Sequence, residues 1–407
     1  MKKKVLAAII LTMSILAGCG STGEKETQQA IKPIPVESKT EESSVQPSSS
    51  QVQSTETTES DSEEVKAKDP TIIDREVVDG KMQSYLTGEW KDEDVVKRRS
   101  MAVMMPNNKP AMPQYGITQA SIVYEAPVEG RVTRLMCIVE DYDDMEYIGP
   151  VRSARDYYLY EAMAYDSIYC NWGLAIPFVS ELINSDRIDN VSQPLAGIEK
   201  GAYEAFDRIS RPGYATEFTG YLFIDGYEKA VDRLGYKTKY RDTFEQAFTF
   251  ANDGWRVEYK DQDDATMVYP GGKDKNAKNY KRSGYGDAAS YFEYNEEDGL
   301  YYRYQFGGAH IDEMNGEQVA VSNIVFKVCH GEVREPSNLD YLAFGVHGEG
   351  DAYVFTAGKV IKATWEREGD YGANMFYDED GNEIVFNQGK TWICNIWDTY
   401  ANLIYYE

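Results

Sequence analysis

The sequence is poor in basic residues, in histidine and in cysteine. Its 407 residues include 42 Lys and Arg against 68 Asp and Glu, which gives a net charge of −26. Nucleic-acid binding needs a basic face, so this balance argues against nucleic acid as a partner. The three His show no metal-ligand spacing, and no Cys-x-x-Cys pair occurs. We therefore predict neither a metal nor a cofactor.

Long apolar runs are also missing. The run Val5–Leu16 follows three lysines and is too short for an ordinary membrane span, and no later stretch is long or apolar enough to form one. A basic start, a short apolar core and the small residues Ala17-Gly18 are typical of a secretory signal. Cys19 follows directly, as in a bacterial lipobox. We predict a lipoprotein signal peptide over residues 1–18 and acylation of Cys19, palmitate included. The protein would then sit on the extracytoplasmic face of the cell membrane, and the alternative is a plain secreted protein.

Aromatic residues are absent before Tyr85. Residues 19–70 are instead rich in Ser, Thr and Glu. This composition buries too little apolar surface to offset the loss of chain entropy. We predict a disordered tether that starts at the lipidated Cys19, with a root-mean-square reach on the order of 40 Å.

The rest of the chain is long enough for two domains, because about 330 residues exceed one typical hydrophobic core. Strand-like and helical patterns alternate over residues 85–245, where Ala154–Tyr165 is predicted to be a helix. Over residues 246–407 short aromatic strands flank the turn signals Asp298-Gly299 and Asp380-Gly381. We predict an α+β fold, with an N-terminal mixed α/β domain followed by a mainly antiparallel β domain.

Four cysteines follow the predicted anchor. Three of them lie in strand-like apolar runs and none has metal-ligand spacing. An extracytoplasmic location permits disulfides, but the apolar surroundings favour buried free thiols. The four residues are Cys137, Cys170, Cys329 and Cys394.

Several strings of residues resemble one family. They include Ile122–Ala126, the Gly-Pro-Val-Arg-Ser-Ala-Arg string within Ile148–Arg155, Gly348–Gly350 and Gly389–Ile393. Together with Cys19 they resemble the YerB-type lipoproteins, a two-domain family of Gram-positive bacteria. The resemblance implies a cell-surface lipoprotein with two domains. It implies no reaction.

Two strings depart from the pattern of that family. Asn171–Ala175 stands where many members have a His-x-Gly-Gly-Ser-like string. Gly213–Ala215 follows the Arg-rich loop Arg208–Pro212 where many members have Pro-His-Asn. If those histidines act chemically in the family, this chain lacks that chemistry.

The string that ends at Asp156 is the strongest candidate for a binding site. Ser153 and Asp156 have the spacing of a capping box, which places Arg152 and Arg155 at a helix N-terminus. Backbone N–H groups and guanidinium groups there bind anions. Arg134 is expected to approach from a neighbouring strand. We predict that the ligand-binding residues are Arg152, Ser153, Arg155 and Arg134.

Glu125 and Glu129 allow two other interpretations. They are the candidate catalytic residues, because glycoside cleavage needs two carboxyl groups about 5–9.5 Å apart, one of them with a raised pKa. They are also candidate ion-pair partners that would neutralise Arg152 and Arg155 within the fold.

These patterns predict a non-enzymatic binding module for an anionic or polar cell-envelope ligand, or for a surface protein. One alternative is a cell-wall hydrolase that uses Glu125 and Glu129. Another is a lipoprotein that interacts only with proteins. A cavity lined by Arg152 and Arg155 would favour ligand binding, whereas an exposed apolar patch would favour a protein partner.

Overall fold

The computed structural model describes residues 33–35, 69–334 and 339–407. Cys19, the signal peptide and most of the predicted tether lie outside the described residues. Within the tether, Ile34–Pro35 pair antiparallel with Trp255–Arg256, and the neighbouring Pro33 is buried. This short segment therefore differs from the predicted disorder, because an edge strand of the folded body offers its backbone as a partner.

A mixed sheet of eleven strands lies at the centre of the fold. In chain order its strands are β1 Met101–Asn107, β2 Ile122–Val128, β3 Val132–Val139, β4 Ile168–Asn171, β5 Asn190–Ser192, β6 Asp263–Asp264, β7 Asn323–Cys329, β8 Gly348–Thr356, β9 Lys359–Arg367, β10 Met375–Asp378 and β11 Thr391–Trp397. In space they follow the order β6-β9-β8-β7-β11-β2-β3-β1-β4-β5, and β10 pairs with β9.

Strand β11 joins the two halves of the chain. Thr391, its first residue, pairs in parallel with Asn323 of β7 and with Ile122 of β2. The predicted domains at residues 85–245 and 246–407 therefore share one sheet, where separate domains would each have their own. The physical reason is that all but the last residue of β11 is buried, so the strand needs a hydrogen-bonding neighbour on each edge.

The sheet has a hydrophobic core on each face. In β3, Leu135 and Cys137 pack into one cluster, whereas Met136 and Ile138 pack into the other. Successive side chains of a strand point to opposite faces, so a strand that is covered on both sides is apolar throughout. This explains the apolar run Leu135–Val139 within β3.

Helices are few and lie early in the chain. The α-helices of the described residues are α1 Glu93–Lys97, α2 Asp156–Ala164, α3 Ile176–Ile183 and α4 Ile224–Leu234. Short 3-10 helices occupy Lys109–Ala111, Ile117–Gln119, Tyr203–Ala205, Thr216–Phe218, Tyr280–Arg282 and Asp398–Leu403. The predicted α+β fold is confirmed. In the described part of the chain, no helix has the length and apolar character needed to cross a membrane.

A second sheet confirms the hairpin predicted at Asp298-Gly299, since Tyr291–Asn295 pairs antiparallel with Leu300–Gln305. Its other strands are Met267–Tyr269, Gly308–Ala309, Ala320–Val321 and Tyr405–Tyr406. Around Asp380-Gly381 the hairpin is reduced to one bridge between Tyr377 and Glu383, because the flanking strands pair elsewhere.

Five smaller sheets complete the fold of the described residues. Three strands, Tyr147–Ile148, Phe206–Arg208 and Gly220–Phe223, form one of them. The two-stranded sheets are Ile34–Pro35 with Trp255–Arg256, Lys81–Gln83 with Trp90–Asp92, Thr249–Phe250 with Val385–Phe386, and Gly331–Val333 with Leu342–Phe344.

Candidate functional site

The segment at residues 151–155 runs extended along the N-terminal end of helix α2. The backbone N–H of Arg152 donates to the Met104 carbonyl at 2.8 Å, and that of Ala154 donates to the Gly173 carbonyl at 2.8 Å. These bonds fix the segment between strand β1 and the residues that follow β4.

Helix α2 starts later than the sequence predicted. Helix α2 begins at Asp156, so Arg155 is the N-cap residue, and its side chain makes no capping hydrogen bond. Ser153 is not the cap, because it lies two residues before the cap position, and its hydroxyl donates to the Trp172 carbonyl at 3.4 Å. The predicted capping box is therefore wrong. A long-range backbone contact overrides the local capping signal.

Arg155 is neutralised within the fold. Its guanidinium Nε donates to Oε2 of Glu129 at 3.0 Å, and Nη2 contacts Oε1 of the same carboxylate. Nη1 donates to the Ala154 carbonyl at 2.6 Å. The structure thus places Arg155 in the ion pair that was the alternative to ligand binding.

Arg134 lies on β3 in a different electrostatic situation. Its side chain is 7% exposed, and Nη1 donates to the Ser153 carbonyl at 2.7 Å. Among the described residues, no carboxylate lies within 4 Å of this guanidinium. Burial lowers the pKa of Arg134, yet an arginine keeps its charge at neutral pH. Arg134 therefore carries a buried positive charge without a direct counter-charge.

Arg152 lies close enough to Arg134 for the two charges to repel. Burial and the charge of Arg134 both lower the pKa of Arg152. Nη1 of Arg152 contacts Oε2 of the half-exposed Glu217 at 3.0 Å, and the guanidinium lies 5.4 Å from the ring centroid of Phe218. One exposed carboxylate thus faces two arginines.

A third arginine comes from the Arg-rich loop. The guanidinium of Arg208 lies 4.6 Å from the ring centroid of Trp172, and Nη1 donates to the Thr219 hydroxyl at 3.1 Å. Gly220 packs against the same tryptophan, since a Cβ there would lie 2.5 Å from the indole ring. The indole of Trp172 therefore contacts the Arg208 guanidinium and the backbone of Gly220.

The three strings singled out in the sequence converge at this point. We name the "arginine corner" as Arg134, Arg152, Ser153, Trp172, Arg208 and Glu217. Of the predicted binding residues, the structure brings Arg134, Arg152 and Ser153 together, whereas the charge of Arg155 is taken by Glu129. Sequence reasoning missed Arg208, Trp172 and Glu217 as site residues. The only signal for the first two was their position in strings that depart from the family pattern.

Comparisons with known proteins agree along most of the chain. Residues 86–237 match the family model "Protein of unknown function (DUF3048) N-terminal domain", and residues 277–393 match the corresponding C-terminal domain. "Putative lipoprotein YerB" of Bacillus subtilis (strain 168) is 28% identical over 322 residues, which cover 77% of this chain and 86% of the relative. The crystal structure of the Bacillus subtilis YerB protein matches with a TM-score of 0.61 and 25% identity, and covers 78% of this chain and 98% of that one. The chain belongs to the YerB-type family. The comparisons support a lipoprotein of unknown function.

In this YerB-type chain the whole arginine corner lies within the N-terminal family match. The candidate carboxylate Glu125 lies elsewhere, in a buried network that the C-terminal half completes. Its carboxylate accepts from Nη2 of Arg303 at 2.9 Å, from the Thr133 hydroxyl at 2.7 Å and from the Trp392 indole at 3.1 Å. Glu125 and Arg303 are fully buried. Glu125 and Glu129 are thus paired with different arginines.

The same network extends to a histidine. Nη1 of Arg303 lies 2.8 Å from Nδ1 of His310, and Nε2 of His310 lies 2.7 Å from Oε1 of Gln114. Burial and the adjacent Arg303 lower the pKa of His310 well below its ordinary value. His310 is therefore neutral in the folded protein at neutral pH.

A second buried network surrounds Glu161 of helix α2. Its carboxylate contacts Nζ of Lys327 at 3.0 Å and Nη1 of Arg367 at 3.3 Å, and accepts from the Asn374 amide at 2.9 Å. Burial alone would raise the pKa of Glu161, but the two cations lower it below its ordinary value. All three charged side chains are fully buried, so this network holds α2 against the strands of the C-terminal half.

Neither cysteine nor histidine forms a metal centre in the described part of the chain, where no cluster of three or more His, Cys, Asp or Glu side chains is arranged around a common point. The cysteines at 137, 170, 329 and 394 are buried and unpaired. Burial raises the pKa of the Cys329 thiol to about 12. A thiol in that state is a poor nucleophile and a poor metal ligand at neutral pH.

Proposed function

We propose that the protein is an extracytoplasmic lipoprotein that binds an anionic or polar envelope ligand and does not transform it. Acyl groups on Cys19 would hold it to the membrane. The name of the Bacillus subtilis relative and the Leu-Ala-Gly-Cys string that ends at Cys19 support the anchor. The arginine corner supports the binding site.

Arg134 is the observation that carries this proposal. Burying a charge is costly unless an opposite charge or several hydrogen bonds compensate it. Among the described residues, Arg134 has one backbone carbonyl as its hydrogen-bond acceptor, and the neighbouring Arg152 adds to the positive charge. An anionic ligand would supply the missing counter-charge through bidentate guanidinium contacts.

The contacts of the two candidate carboxylates weigh against the hydrolase alternative. A glycosidase acid has to reach the scissile bond. Glu125 is fully buried against Arg303, and Glu129 is held by two guanidinium nitrogens of Arg155. Neither carboxylate is free to transfer a proton to a substrate in this arrangement.

The test is a thermal-shift screen of the full lipidated chain in neutral detergent. The panel contains phosphosugars, wall fragments, nucleotides and carboxylates, and the variants are Arg134→Gln and Arg152→Gln. The control is Arg233→Gln, since Arg233 is exposed and pairs with the exposed Glu204. A ligand at a hundred times its Kd stabilises by about 2.7 kcal/mol, which raises the Tm by several degrees.

The expected result is a rise in Tm that disappears in both corner variants and persists in Arg233→Gln. If no compound in the panel raises the Tm, the proposal of an anion site fails, and the search moves to protein partners. A rise that persists in both corner variants would place the ligand at another site.

A further inference from the structure

A second group of basic side chains surrounds an open cavity that shares no residue with the arginine corner. The cavity has a volume of about 530 Å³ and lies between residues 73–85 and residues 239–246. Its basic side chains are Arg75, Lys97, Lys239 and Arg241, against one acidic side chain, Asp74. This is a local reversal of charge in a chain with a net charge of −26.

Two of the four cations lack a direct counter-charge. Lys97 pairs with Glu93, and Arg241 pairs with Asp166. Arg75 donates instead to the Gln83 carbonyl at 3.1 Å. Among the described residues, no carboxylate lies within 4 Å of the charged group of Arg75 or of Lys239. These two side chains belong to the two chain segments that line the cavity.

Three aromatic rings line the same cavity, and the guanidinium of Arg75 lies 5.1 Å from the ring centroid of Tyr85. Tyr240 and Phe244 stack with their ring centroids 4.2 Å apart. Tyr85 packs edge-on against both, at 5.9 and 5.6 Å. Such rings pack well against the carbon face of a sugar or polyol.

A hydrogen-bond acceptor without a donor is buried in the wall of the cavity. Gln246 lines it, and the side-chain oxygen Oε1 of Gln246 is buried without a donor. A buried acceptor without a donor is destabilising, so a ligand hydroxyl or N–H that reached it would be favoured. The site is therefore suited to a ligand that combines negative charge with a hydrogen-bond donor.

We propose that this cavity binds a phosphate ester of a polyol or sugar. Arg75 and Lys239 would contact the phosphate, and a ligand hydroxyl would donate to Oε1 of Gln246. A phosphate fits better than a single carboxylate, because its several oxygens can meet more than one cation. The same chemistry occurs in a free or polymeric ester and in the headgroup of phosphatidylglycerol, so the test separates these sources.

The first arm is calorimetric titration of the full lipidated chain, in neutral detergent, with glycerol 3-phosphate, inorganic phosphate and glycerol. The variants are Lys239→Gln and Gln246→Leu. The matched control is Lys237→Gln, because Lys237 is an exposed lysine two residues away that does not line the cavity. Arg152→Gln is included to report on the arginine corner.

We expect glycerol 3-phosphate to bind more tightly than inorganic phosphate. Lys239→Gln should weaken it about tenfold, the loss of one charge-assisted hydrogen bond. Gln246→Leu should reduce its affinity to that of inorganic phosphate. Lys237→Gln should leave it unchanged, and Arg152→Gln reports separately on binding at the arginine corner. If glycerol 3-phosphate binds the wild type, equal affinity for inorganic phosphate or unchanged binding in Lys239→Gln would overturn the proposal. Loss of binding in Arg152→Gln alone would assign the ester to the arginine corner and also overturn it.

The second arm uses the lipidated protein in vesicles of phosphatidylcholine with or without phosphatidylglycerol. A headgroup ligand predicts a higher Tm with phosphatidylglycerol in the wild type and in Lys237→Gln, but not in Lys239→Gln. That result without binding of glycerol 3-phosphate supports the lipid as the source, whereas binding of glycerol 3-phosphate alone supports a soluble or polymeric ester. If neither arm shows an effect that depends on Lys239, the proposal is wrong.

Discussion

The Glu125 network and the arginine corner both contain a buried arginine, but the two arginines have different partners. Arg303 is fully buried against the carboxylate of Glu125 and the ring of His310. Arg134 is 7% exposed, and a backbone carbonyl is its acceptor. Burial alone therefore does not distinguish a structural arginine from a binding arginine. The presence of a counter-charge distinguishes them. A buried arginine that is already paired gains little from an anionic ligand, whereas an unpaired one is stabilised by it.

The largest expected effect is at the structural arginine. Arg303→Met leaves the carboxylate of Glu125 buried without its cation, and breaking a buried ion pair costs about 3–5 kcal/mol. We expect the free energy of unfolding, measured by urea denaturation, to fall by that amount.

The double variant Glu125→Leu/Arg303→Met is the control for this prediction, because it removes both charges. Its loss of stability should be smaller than that of Arg303→Met alone. If the single variant were as stable as the wild type, the ion pair would have no structural role, and the contrast with Arg134 would disappear.

A smaller effect is expected in the Glu161 network. Lys327→Met removes one cation, but Arg367 still contacts the carboxylate at 3.3 Å. The expected loss is about 1.5–3 kcal/mol, the contribution of hydrogen bonds to a charged group. Urea denaturation beside Arg303→Met gives the comparison directly. A loss as large as that of Arg303→Met would show that Arg367 does not compensate Glu161.

The sequence allowed part of this picture to be predicted. The α+β fold and the hairpin at Asp298-Gly299 could be predicted from local patterns, and an ion pair between Arg155 and Glu129 was one of the interpretations that the charges allowed. Such features depend on periodic patterns or on contacts between elements that are neighbours along the chain.

Contacts between distant parts of the chain could not be predicted. Lys327 lies 166 residues from Glu161, and no local pattern indicates that a lysine inside an apolar strand meets a helix of the other half. The capping box at Ser153 failed for the same reason, since the backbone of the distant Gly173 keeps that segment extended. The shared sheet likewise depends on β11 entering between strands of both halves.

The histidine of the Glu125 network adds a pH dependence that the arginine corner lacks. The pKa of His310 is lowered well below its ordinary value in the folded protein, whereas in the unfolded chain it is about 6.5. As the pH falls below that value, the unfolded chain binds a proton that the folded protein does not, so stability decreases. The slope contributed by one such group approaches about 1.4 kcal/mol per pH unit.

Unfolding free energies of the wild type and His310→Gln between pH 5 and pH 7 measure this contribution. The variant should lose stability less steeply as the pH falls. His347, whose pKa is lowered by burial and by Arg367, contributes a slope of the same sign in both proteins, so the difference between the two slopes isolates His310. Identical slopes would mean that the pKa of His310 is the same in the folded and the unfolded protein.

The smallest effect on stability is expected at the binding arginine. Arg134→Met keeps most of the apolar stem and removes a guanidinium that pairs with no carboxylate within 4 Å among the described residues, so no carboxylate is orphaned. The Ser153 carbonyl loses a donor, and relief of the repulsion with Arg152 offsets that loss. We expect the free energy of unfolding without ligand to change by about 1 kcal/mol or less.

The same Arg134→Met variant should lose the ligand-induced rise in Tm that is proposed for the arginine corner. The variant should therefore keep its stability and lose ligand binding. The reverse is expected for Arg303→Met, which should unfold more easily whether or not a ligand is present. If Arg134→Met lowered the free energy of unfolding by several kcal/mol without ligand, Arg134 would be a structural arginine like Arg303. The positive charge of the corner would then be a structural element of the sheet, and the absence of a carboxylate beside it would no longer indicate a ligand.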